Sequence, residues 1–406
     1  MRNILQSTVF TTGLAIFSML FGAGNLMYPI KAGLNSGDHF VIGILGFLCT
    51  AAALPLIGLV GIIYFNGNYK SFFHRLGVIP GNLLIGCCMA IIGPCYVMSR
   101  IVSGCHGMLA PFLPETFTII PFSILFCILT FLATVKETKV IQLLGNLISP
   151  ALLISLGVIL VKGILHPQAL VTVNASAWQV FTHQAVLGYE HLDLLGTIFF
   201  GSIVLGILKT TAASNTDYDL KSLAKIGLQS GLLGCFLLTI VYIGMALLGA
   251  FHGQGLENHD VAQLFSIISH KILGTQGALV IATAVAMACF STIIALAAVL
   301  AEYIQHDVSK NKLSYVPSLA VTLALTTVIS WNGLAQLTAY VNPIINTLYP
   351  LLITLTFANI AYKLWNFKPV KLPVLITLIV SMYFNWQSYS VYGITTTKQT
   401  TAHYNK

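Results

Sequence analysis

The sequence predicts an all-α, polytopic membrane protein. Of its 406 residues, 57% are hydrophobic and only 7% are charged, and apolar runs of membrane-spanning length recur along the whole chain. Soluble domains carry about 25% charged residues, so this composition excludes a water-soluble globular protein and a disordered chain. The net charge of +8 comes from Lys and Arg residues spread thinly between apolar runs, as in the positively biased loops of membrane proteins. A nucleic-acid-binding module is therefore excluded too.

Eleven apolar segments are long enough to cross about 30 Å of hydrocarbon, and the absence of an alternating pattern predicts that they are helices. In chain order these spans are Val9–Ile30, Phe40–Tyr64, Leu83–Leu109, Phe117–Val135, Ile141–Leu165, Leu194–Leu208, Ile226–Phe251, Ala278–Ile304, Tyr315–Ile329, Leu337–Tyr362 and Leu372–Tyr392.

The distribution of basic residues predicts a cytoplasmic N-terminus. With that orientation, thirteen of the 19 Lys and Arg residues lie inside, five lie outside, and Arg100 is embedded in span 3. Two longer polar stretches, His166–Asp193 and His252–Gly277, then fall outside and are interpreted as solvated loops, long enough for a lid or a re-entrant segment. An odd number of spans also places the C-terminal tail outside.

Several other classes of protein lack support in the sequence. The eight cysteines lie inside apolar runs without a paired C-x-x-C arrangement, which disfavours a disulfide framework or a zinc site. A membrane-embedded enzyme is disfavoured because no H-E-x-x-H, G-x-S-x-G or Walker A motif occurs, so we expect neither catalysis nor an organic cofactor. A passive channel is disfavoured because no filter-forming segment is evident.

Span 1 contains a predicted break. The segment Phe21-Gly22-Ala23-Gly24-Asn25 lies near mid-depth and is followed by Pro29. Small residues also allow close packing between intact helices, which is the alternative interpretation. We expect unwinding instead, because the spacing is not G-x-x-x-G and a buried Asn adds cost. Freed N–H groups would face an anion, whereas freed carbonyl groups would face a cation.

Span 6 contains a candidate counterpart of that break. It is short, and it carries Gly196, Gly201 and Gly206 within Leu194–Leu208. Interrupted segments at matching positions in two halves are a pointer to a transporter site. The offset of five spans predicts a five-plus-five inverted repeat within a single transporter domain (1–406), with repeats at 9–165 and 194–362 and an extra helix at 372–392. The alternative is a short, tilted span 6.

Other polar or helix-disturbing residues also lie at membrane depth. Span 3 holds Arg100 after a Gly-Pro pair, span 8 holds Ser291 and Thr292, and span 10 holds Asn342-Pro343. An embedded arginine is costly and should be paired or should line a wet path. Glu302 is the one acidic residue that falls within a predicted span. Because proton-coupled carriers usually need titratable groups at depth, this favours sodium coupling over proton coupling.

These motifs resemble the branched-chain amino acid transport system II carriers, the bacterial leucine/isoleucine/valine:cation symporters. The resemblance rests on Phe21-Gly22-Ala23-Gly24-Asn25-Leu26-Met27-Tyr28-Pro29, on Gly93-Pro94 with Arg100, and on Ala335-Gln336-Leu337 before Asn342-Pro343 and Tyr349-Pro350. The family is similar to the amino acid–polyamine–organocation carriers, whose fold implies the five-plus-five repeat. Ser99 departs from the proline usual in the family at that position, and members are usually assigned twelve spans rather than eleven.

The resemblance implies specific roles for residues of the two breaks. The substrate carboxylate would meet Gly22, Ala23, Gly24 and Asn25. The ammonium and the aliphatic side chain would meet Phe199, Phe200, Gly201 and Ser202. Sodium would be held near Ser18 and Phe21 by carbonyl groups and by the hydroxyls of Ser291 and Thr292, while Arg100, Asn342 and Pro343 would serve gating or structural roles.

We therefore expect a sodium-coupled symporter of Leu, Ile and Val that works by alternating access. The alternative is a proton-coupled carrier of another small neutral amino acid or solute. The expected location is the bacterial cytoplasmic (inner) membrane, and the expected partners are the substrate and the lipid bilayer, without nucleic acid or an obligatory protein partner.

Overall fold

The computed structural model describes residues 2–136, 139–168, 170, 173–213, 220–257, 259 and 261–386. These residues form helices joined by short turns. The helices are α1 Arg2–Leu20, α2 Ala23–Ser36, α3 Phe40–Ala51, α4 Ala53–Tyr64, α5 Tyr69–Phe73, α6 Val78–Ile92, α7 Val97–Leu109, α8 Ile119–Thr134, α9 Val140–Leu143, α10 Ser149–Leu165, α11 Ala177–Tyr189, α12 Asp193–Ala213, α13 Leu220–His252, α14 Val261–Leu273, α15 Ala278–Tyr303, α16 Tyr315–Ser330, α17 Gly333–Trp365 and α18 Lys371–Trp386.

The distribution of side chains is that of a protein whose solvent is lipid. Large apolar side chains such as Leu132 and Ile154 are more than 60% exposed on the outer surface. Polar hydroxyls are buried inside instead, and many of them donate to a carbonyl of their own helix, as Thr322 does to Ser318 at 2.9 Å. In hydrocarbon each polar group must find a partner within the protein, and this arrangement meets that requirement.

Six helical segments among the described residues are long and apolar enough to cross a membrane. They are Ala23–Tyr64, Val78–Phe112, Val140–Leu165, Ser222–His252, Ala278–Val308 and Val341–Trp365. Shorter apolar helices lie at Thr8–Leu20, Ile119–Thr134, Asp193–Gly206, Tyr315–Ser330 and Lys371–Trp386. Together they cover the regions in which the sequence predicts spans, while the count of eleven and the repeat boundaries stay predictions.

Span 1 is broken where the sequence predicts. Helix α1 ends at Leu20 and α2 begins at Ala23, so Phe21 and Gly22 form a non-helical link between them. Gly22 is extended, with φ −108° and ψ −165°. The break therefore presents the last carbonyl groups of α1 and the first N–H groups of α2 to the interior at the same depth.

Span 6 is broken at a different place from the one predicted. Helix α12 runs without interruption from Asp193 to Ala213, so Gly196–Ser202 is helical. The break lies upstream, between the end of α11 at Tyr189 and the start of α12, with Leu192 at φ +65°. The glycine at 201 serves packing, because a Cβ there would lie 2.6 Å from Ile62 Cγ2 of α4.

The two predicted outer loops contain helices. Helix α11 occupies Ala177–Tyr189 within His166–Asp193, and α14 occupies Val261–Leu273 within His252–Gly277. Helix α11 packs along α3, while α12 packs along α4, the next helix in the chain. The pair α11–α12 thus traverses the membrane in the same direction as α3–α4. Since α3–α4 returns the chain after α1–α2, the two broken pairs run in opposite directions.

Helix α13 fixes the first broken pair from one side. It contacts both α1 and α2 along its length. At the crossing with α2 the backbones touch, because a Cβ on Gly33 would lie 1.8 Å from the carbonyl oxygen of Ala246. Such a contact admits no larger residue, so the position of α2 relative to α13 is set by this glycine.

Span 10 is not interrupted at Asn342-Pro343. Helix α17 continues through Pro343 and Pro350 from Gly333 to Trp365. The Pro343 carbonyl accepts hydrogen bonds from Asn385 Nδ2 of α18 at 2.7 Å and from Thr347 Oγ1 at 3.2 Å. The Pro343 carbonyl thereby ties α17 to α18 within the bundle.

Candidate functional site

A small cavity, here called the chamber, lies between the two helix breaks. Its volume is about 50 Å³. The polar and small members of its wall come from both breaks and from α7, α12 and α15: Gly22, Ala23, Gly24, Asn25, Arg100, His191, Asp193, Gly196 and Thr292. Apolar members include Leu20, Ile92, Val97, Ile101, Phe200 and Leu296. The chamber therefore combines one charge of each sign with an apolar wall.

Asn25 joins the two breaks. Its Oδ1 accepts a hydrogen bond from the backbone N–H of Gly22 at 2.8 Å, and its Nδ2 donates to Asp193 Oδ2 at 3.1 Å. The same Nδ2 donates to the hydroxyl of Tyr242, which in turn donates to Asp193 Oδ2 at 3.2 Å. Buried polar networks of this kind specify one arrangement when each member is satisfied.

His191 lies in the second break, inside an aromatic enclosure. Its ring centroid is 4.8 Å from that of Tyr28, 5.4 Å from that of Phe47 and 5.6 Å from that of Tyr242. Its Nδ1 lies 3.5 Å from Asp193 Oδ2. Its Nε2 is buried and has no hydrogen-bond partner among the described residues. The Nδ1 of the imidazole thus faces the Asp193 carboxylate, while its Nε2 is available to hydrogen-bond a ligand or a water molecule.

Arg100 lines a second, larger cavity as well as the chamber. This second cavity, here called the vestibule, has a volume of about 410 Å³ and lies on the side of the membrane where α2 ends, near Lys31, Asn35 and Glu190. None of the described carboxylates forms an ion pair with Arg100. Its Nη1 donates a hydrogen bond to the Tyr96 hydroxyl at 3.1 Å. Its guanidinium lies against α2, with Nη2 3.2 Å from the position of a Cβ on Gly24.

The residues predicted to hold a cation lie beside the first break. Ser291 Oγ donates to the Ala288 carbonyl at 2.9 Å and lies 3.4 Å from the Phe21 carbonyl oxygen. Ser18 Oγ and Thr292 Oγ1 are buried and have no hydrogen-bond partner among the described residues. A Cβ on Gly22 would lie 2.9 Å from Thr292 Oγ1, so this oxygen lies close to the non-helical link. This donor set, uncharged oxygens only, is of the kind that suits an alkali cation.

Only some of the residues predicted from span 6 lie at the chamber. Phe200 lines the chamber. Phe199 faces elsewhere, stacked on Phe73 at 5.9 Å, and Ser202 Oγ donates to the Gly67 carbonyl beyond the end of α4. The residues that take their place at the chamber are His191, Asp193 and Gly196.

Asp193 is the main residue that sequence reasoning missed. It stands at the edge of an apolar run, so hydropathy predicts a loop there and leaves Glu302 as the only acid within a predicted span. A signal was present, because Glu190-His191-Leu192-Asp193 places three ionisable residues immediately before an uninterrupted apolar helix. In the structure its first three residues form the second break, and Asp193 begins α12.

The sequence is similar to those of known membrane proteins over nearly its whole length. The profile of one family, described as branched-chain amino acid transport protein, matches residues 5–404. The chain belongs to this family. Among curated relatives, the branched-chain amino acid permease BraB of Bacillus subtilis is 27% identical over 362 residues, covering 87% of this chain and 80% of BraB. The permease BrnQ of Escherichia coli K12 is 24% identical over 371 residues, covering 90% and 83%.

A solved structure shares the fold of this family member. It is the substrate-bound, outward-open state of a Na⁺-coupled sialic acid symporter, matched with a TM-score of 0.57. The match covers 92% of this chain and 88% of that chain at 14% sequence identity. The fold is therefore that of a membrane-integral transporter, and the family is one of carriers rather than of enzymes.

Proposed function

We propose that this protein is a sodium-coupled symporter of leucine, isoleucine and valine. The observation that carries the proposal is the chamber, which lies between two broken helices of opposite direction and has a cation-type oxygen cluster beside it. The names of the relatives, branched-chain amino acid permeases from two bacteria, support the substrate class. They also support a bacterial cytoplasmic membrane location, and the basic-residue bias supports an N-terminus inside.

The start of α2 receives the substrate carboxylate. The first N–H groups of a helix have no intrahelical partner and lie at the positive end of its dipole, so they favour an anion. Of these groups, the Gly22 N–H is taken by Asn25, which leaves those of Ala23 and Gly24. The Arg100 guanidinium beside Gly24 adds a full positive charge at the same place.

The apolar wall of the chamber selects the side chain. Ile92, Ile101, Phe200 and Leu296 offer only carbon to the ligand. One methylene changes affinity in such a pocket by about 1–3 kcal/mol, so leucine, isoleucine and valine share the site. A charged side chain would lose its hydration there without a partner and is excluded.

Sodium is held by the link between α1 and α2 and by α15. Ser291 Oγ lies 3.4 Å from the Phe21 carbonyl oxygen, and the Thr292 hydroxyl lies beside Gly22. Ser18, in the last turn of α1, adds a second buried hydroxyl without a described partner. One charge crossing 100 mV provides about 2.3 kcal/mol, roughly fiftyfold accumulation per ion. Proton coupling is the second candidate, because Asp193 and His191 place titratable groups in the chamber and remove the argument that acids are missing at depth.

Purified protein in liposomes tests the proposal. We expect radiolabelled L-leucine to accumulate under an imposed inward sodium gradient at equal pH on both sides, with unlabelled isoleucine and valine competing and lysine and glutamate not competing. Accumulation under a pH gradient in sodium-free buffer, and not under a sodium gradient, would show that protons rather than sodium ions drive transport. Absence of leucine exchange under both gradients would overturn the function itself.

A further inference from the structure

We propose that the carboxylate of Asp193 binds the α-ammonium group of the substrate. The inference rests on the proposed function and adds to it a residue that completes the recognition of a zwitterion. Neither the sequence patterns nor the relatives assign a role to this aspartate.

The first step is the position of the charge. The break between α11 and α12 places Asp193 at the start of α12, in the wall of the chamber, with its side chain 14% exposed. It faces a space shared with Gly22, Ala23 and Gly24, where the substrate carboxylate is proposed to lie. A negative charge is thus maintained a short distance from a site for another negative charge, an arrangement that a zwitterion satisfies and a simple anion does not.

The second step is the set of partners that surrounds the carboxylate. Asn25 and Tyr242 donate neutral hydrogen bonds to Oδ2, and His191 Nδ1 lies 3.5 Å from the same atom. Neutral donors fix a carboxylate in one orientation without cancelling its charge. Among the described residues, neither lysine nor arginine forms an ion pair with it. The carboxylate is therefore fixed and still able to accept a cationic donor.

The third step is the connection between the two poles. Through Asn25, the Gly22 N–H at the start of α2 and Asp193 Oδ2 share one side-chain amide. An α-amino acid carries its ammonium and carboxylate on the same carbon, so a site for it needs donors and acceptors that are close and fixed relative to one another. The Asn25 amide supplies that fixed spacing, and it predicts that the α-amino group is a main determinant of specificity.

The test compares L-leucine with its α-keto acid, 4-methyl-2-oxopentanoate, as competitors of radiolabelled leucine in liposomes. In the unmodified protein we expect the keto acid to bind at least about tenfold more weakly, because a site built for a charged donor rejects a ligand without it. In Asp193→Asn we expect leucine affinity to fall at least about tenfold and keto acid affinity to change less than about twofold, so that the preference collapses. Asp193→Glu should keep the preference, and Glu115→Gln, an exposed acid, should leave both affinities unchanged.

The possible results separate the two proposals. Loss of all leucine binding by the unmodified protein would overturn the proposed function and this inference together. Leucine binding without preference over the keto acid in the unmodified protein would overturn the inference alone. So would an Asp193→Asn variant that keeps the preference, that loses both ligands equally, or that changes only the pH dependence of transport.

Discussion

At the scale of single residues, the hydroxyl of Thr292 provides a test of the cation site. Thr292→Val keeps the shape of the side chain and removes an oxygen that has no described partner. We expect the sodium concentration for half-maximal leucine uptake to rise about fivefold or more, because one ligand is lost from a site of few oxygens. The measurement is the sodium dependence of initial uptake rates in liposomes.

A matched control exists in α16. Thr322 is also fully buried, but its hydroxyl donates to the Ser318 carbonyl of its own helix. Thr322→Val should leave the sodium dependence as it is. An equal effect of both substitutions, or no effect of Thr292→Val, would contradict the assignment of Thr292 to the cation site.

Single residues also mark the limits of prediction from sequence. The break at Gly22 could be predicted because two glycines and an asparagine at mid-depth leave a helix without support there. The role of Asp193 could not, because hydropathy assigns a charged residue at the border of an apolar run to the loop. Its burial depends on donors contributed by Asn25 and Tyr242, which are 168 and 49 residues away in the chain.

At the scale of elements, short helix α5 closes the side of the protein opposite the vestibule. Lys70 forms an ion pair with Asp307, and the Tyr69 hydroxyl donates to the same carboxylate. The Tyr69 ring meets Phe199 of α12 edge-on at 5.5 Å. Burial, together with the neighbouring Asp307 carboxylate, raises the pKa of Tyr69, so its hydroxyl remains a donor across the physiological pH range.

Removing the charge of Asp307 should loosen α5. In Asp307→Asn we expect backbone amides of residues 69–73 to exchange hydrogen about twofold to fivefold faster, since a partly exposed ion pair contributes up to about 1 kcal/mol. Hydrogen–deuterium exchange by mass spectrometry measures this directly. Asp38→Asn is the control, because Asp38 accepts a hydrogen bond from the Val173 N–H elsewhere in the protein. Unchanged exchange in α5 would show that its position does not depend on Asp307.

The comparison of spans 1 and 6 explains why one break was predicted correctly and the other was not. In both spans the sequence shows glycines near mid-depth, and glycine permits either unwinding or close approach of a neighbour. Gly22 is extended, whereas Gly201 is helical and admits Ile62 of α4. The choice depends on the partner helix, which a local pattern does not reveal.

At the scale of the whole molecule, the position of the vestibule predicts the side of the membrane from which the site is reached in this conformation. With the N-terminus inside, the side on which α2 ends is the external side. Val186 of α11 lines the vestibule and is 57% exposed. In Val186→Cys we therefore expect a membrane-impermeant thiol reagent added outside intact cells to label more protein than in the parent, which has eight native cysteines. Leucine with sodium should reduce the added labelling as the vestibule closes.

Labelling of Val186→Cys only after the cells are permeabilised would show that the vestibule faces the cytoplasm and that the orientation is the opposite one. The parent protein corrects for native thiols, of which Cys49 and Cys95 are exposed.

The overall architecture was largely accessible from composition, because a bilayer leaves few alternatives to apolar helices. The apolar runs alone predict the fold class and the regions of the spans, and the family resemblance rests on the motifs around the first break, Arg100 and span 10. The helices α11 and α14 were missed because their sequences are less apolar than a lipid-facing helix requires. Helix α11 packs along α3, and α14 packs against α2 and α7, and these contacts arise only in the folded protein.

The amide of Asn25 has a consequence for how the protein is made. Its partner Asp193 is synthesised 168 residues later, so the early helices enter the bilayer with this side chain lacking its eventual acceptor. The hydrogen bond that joins the two breaks therefore cannot form in a nascent chain that stops before Asp193. Of two separately expressed parts divided between α10 and α11, each would lack one wall of the chamber, and we expect substrate binding only when both parts are assembled in one membrane.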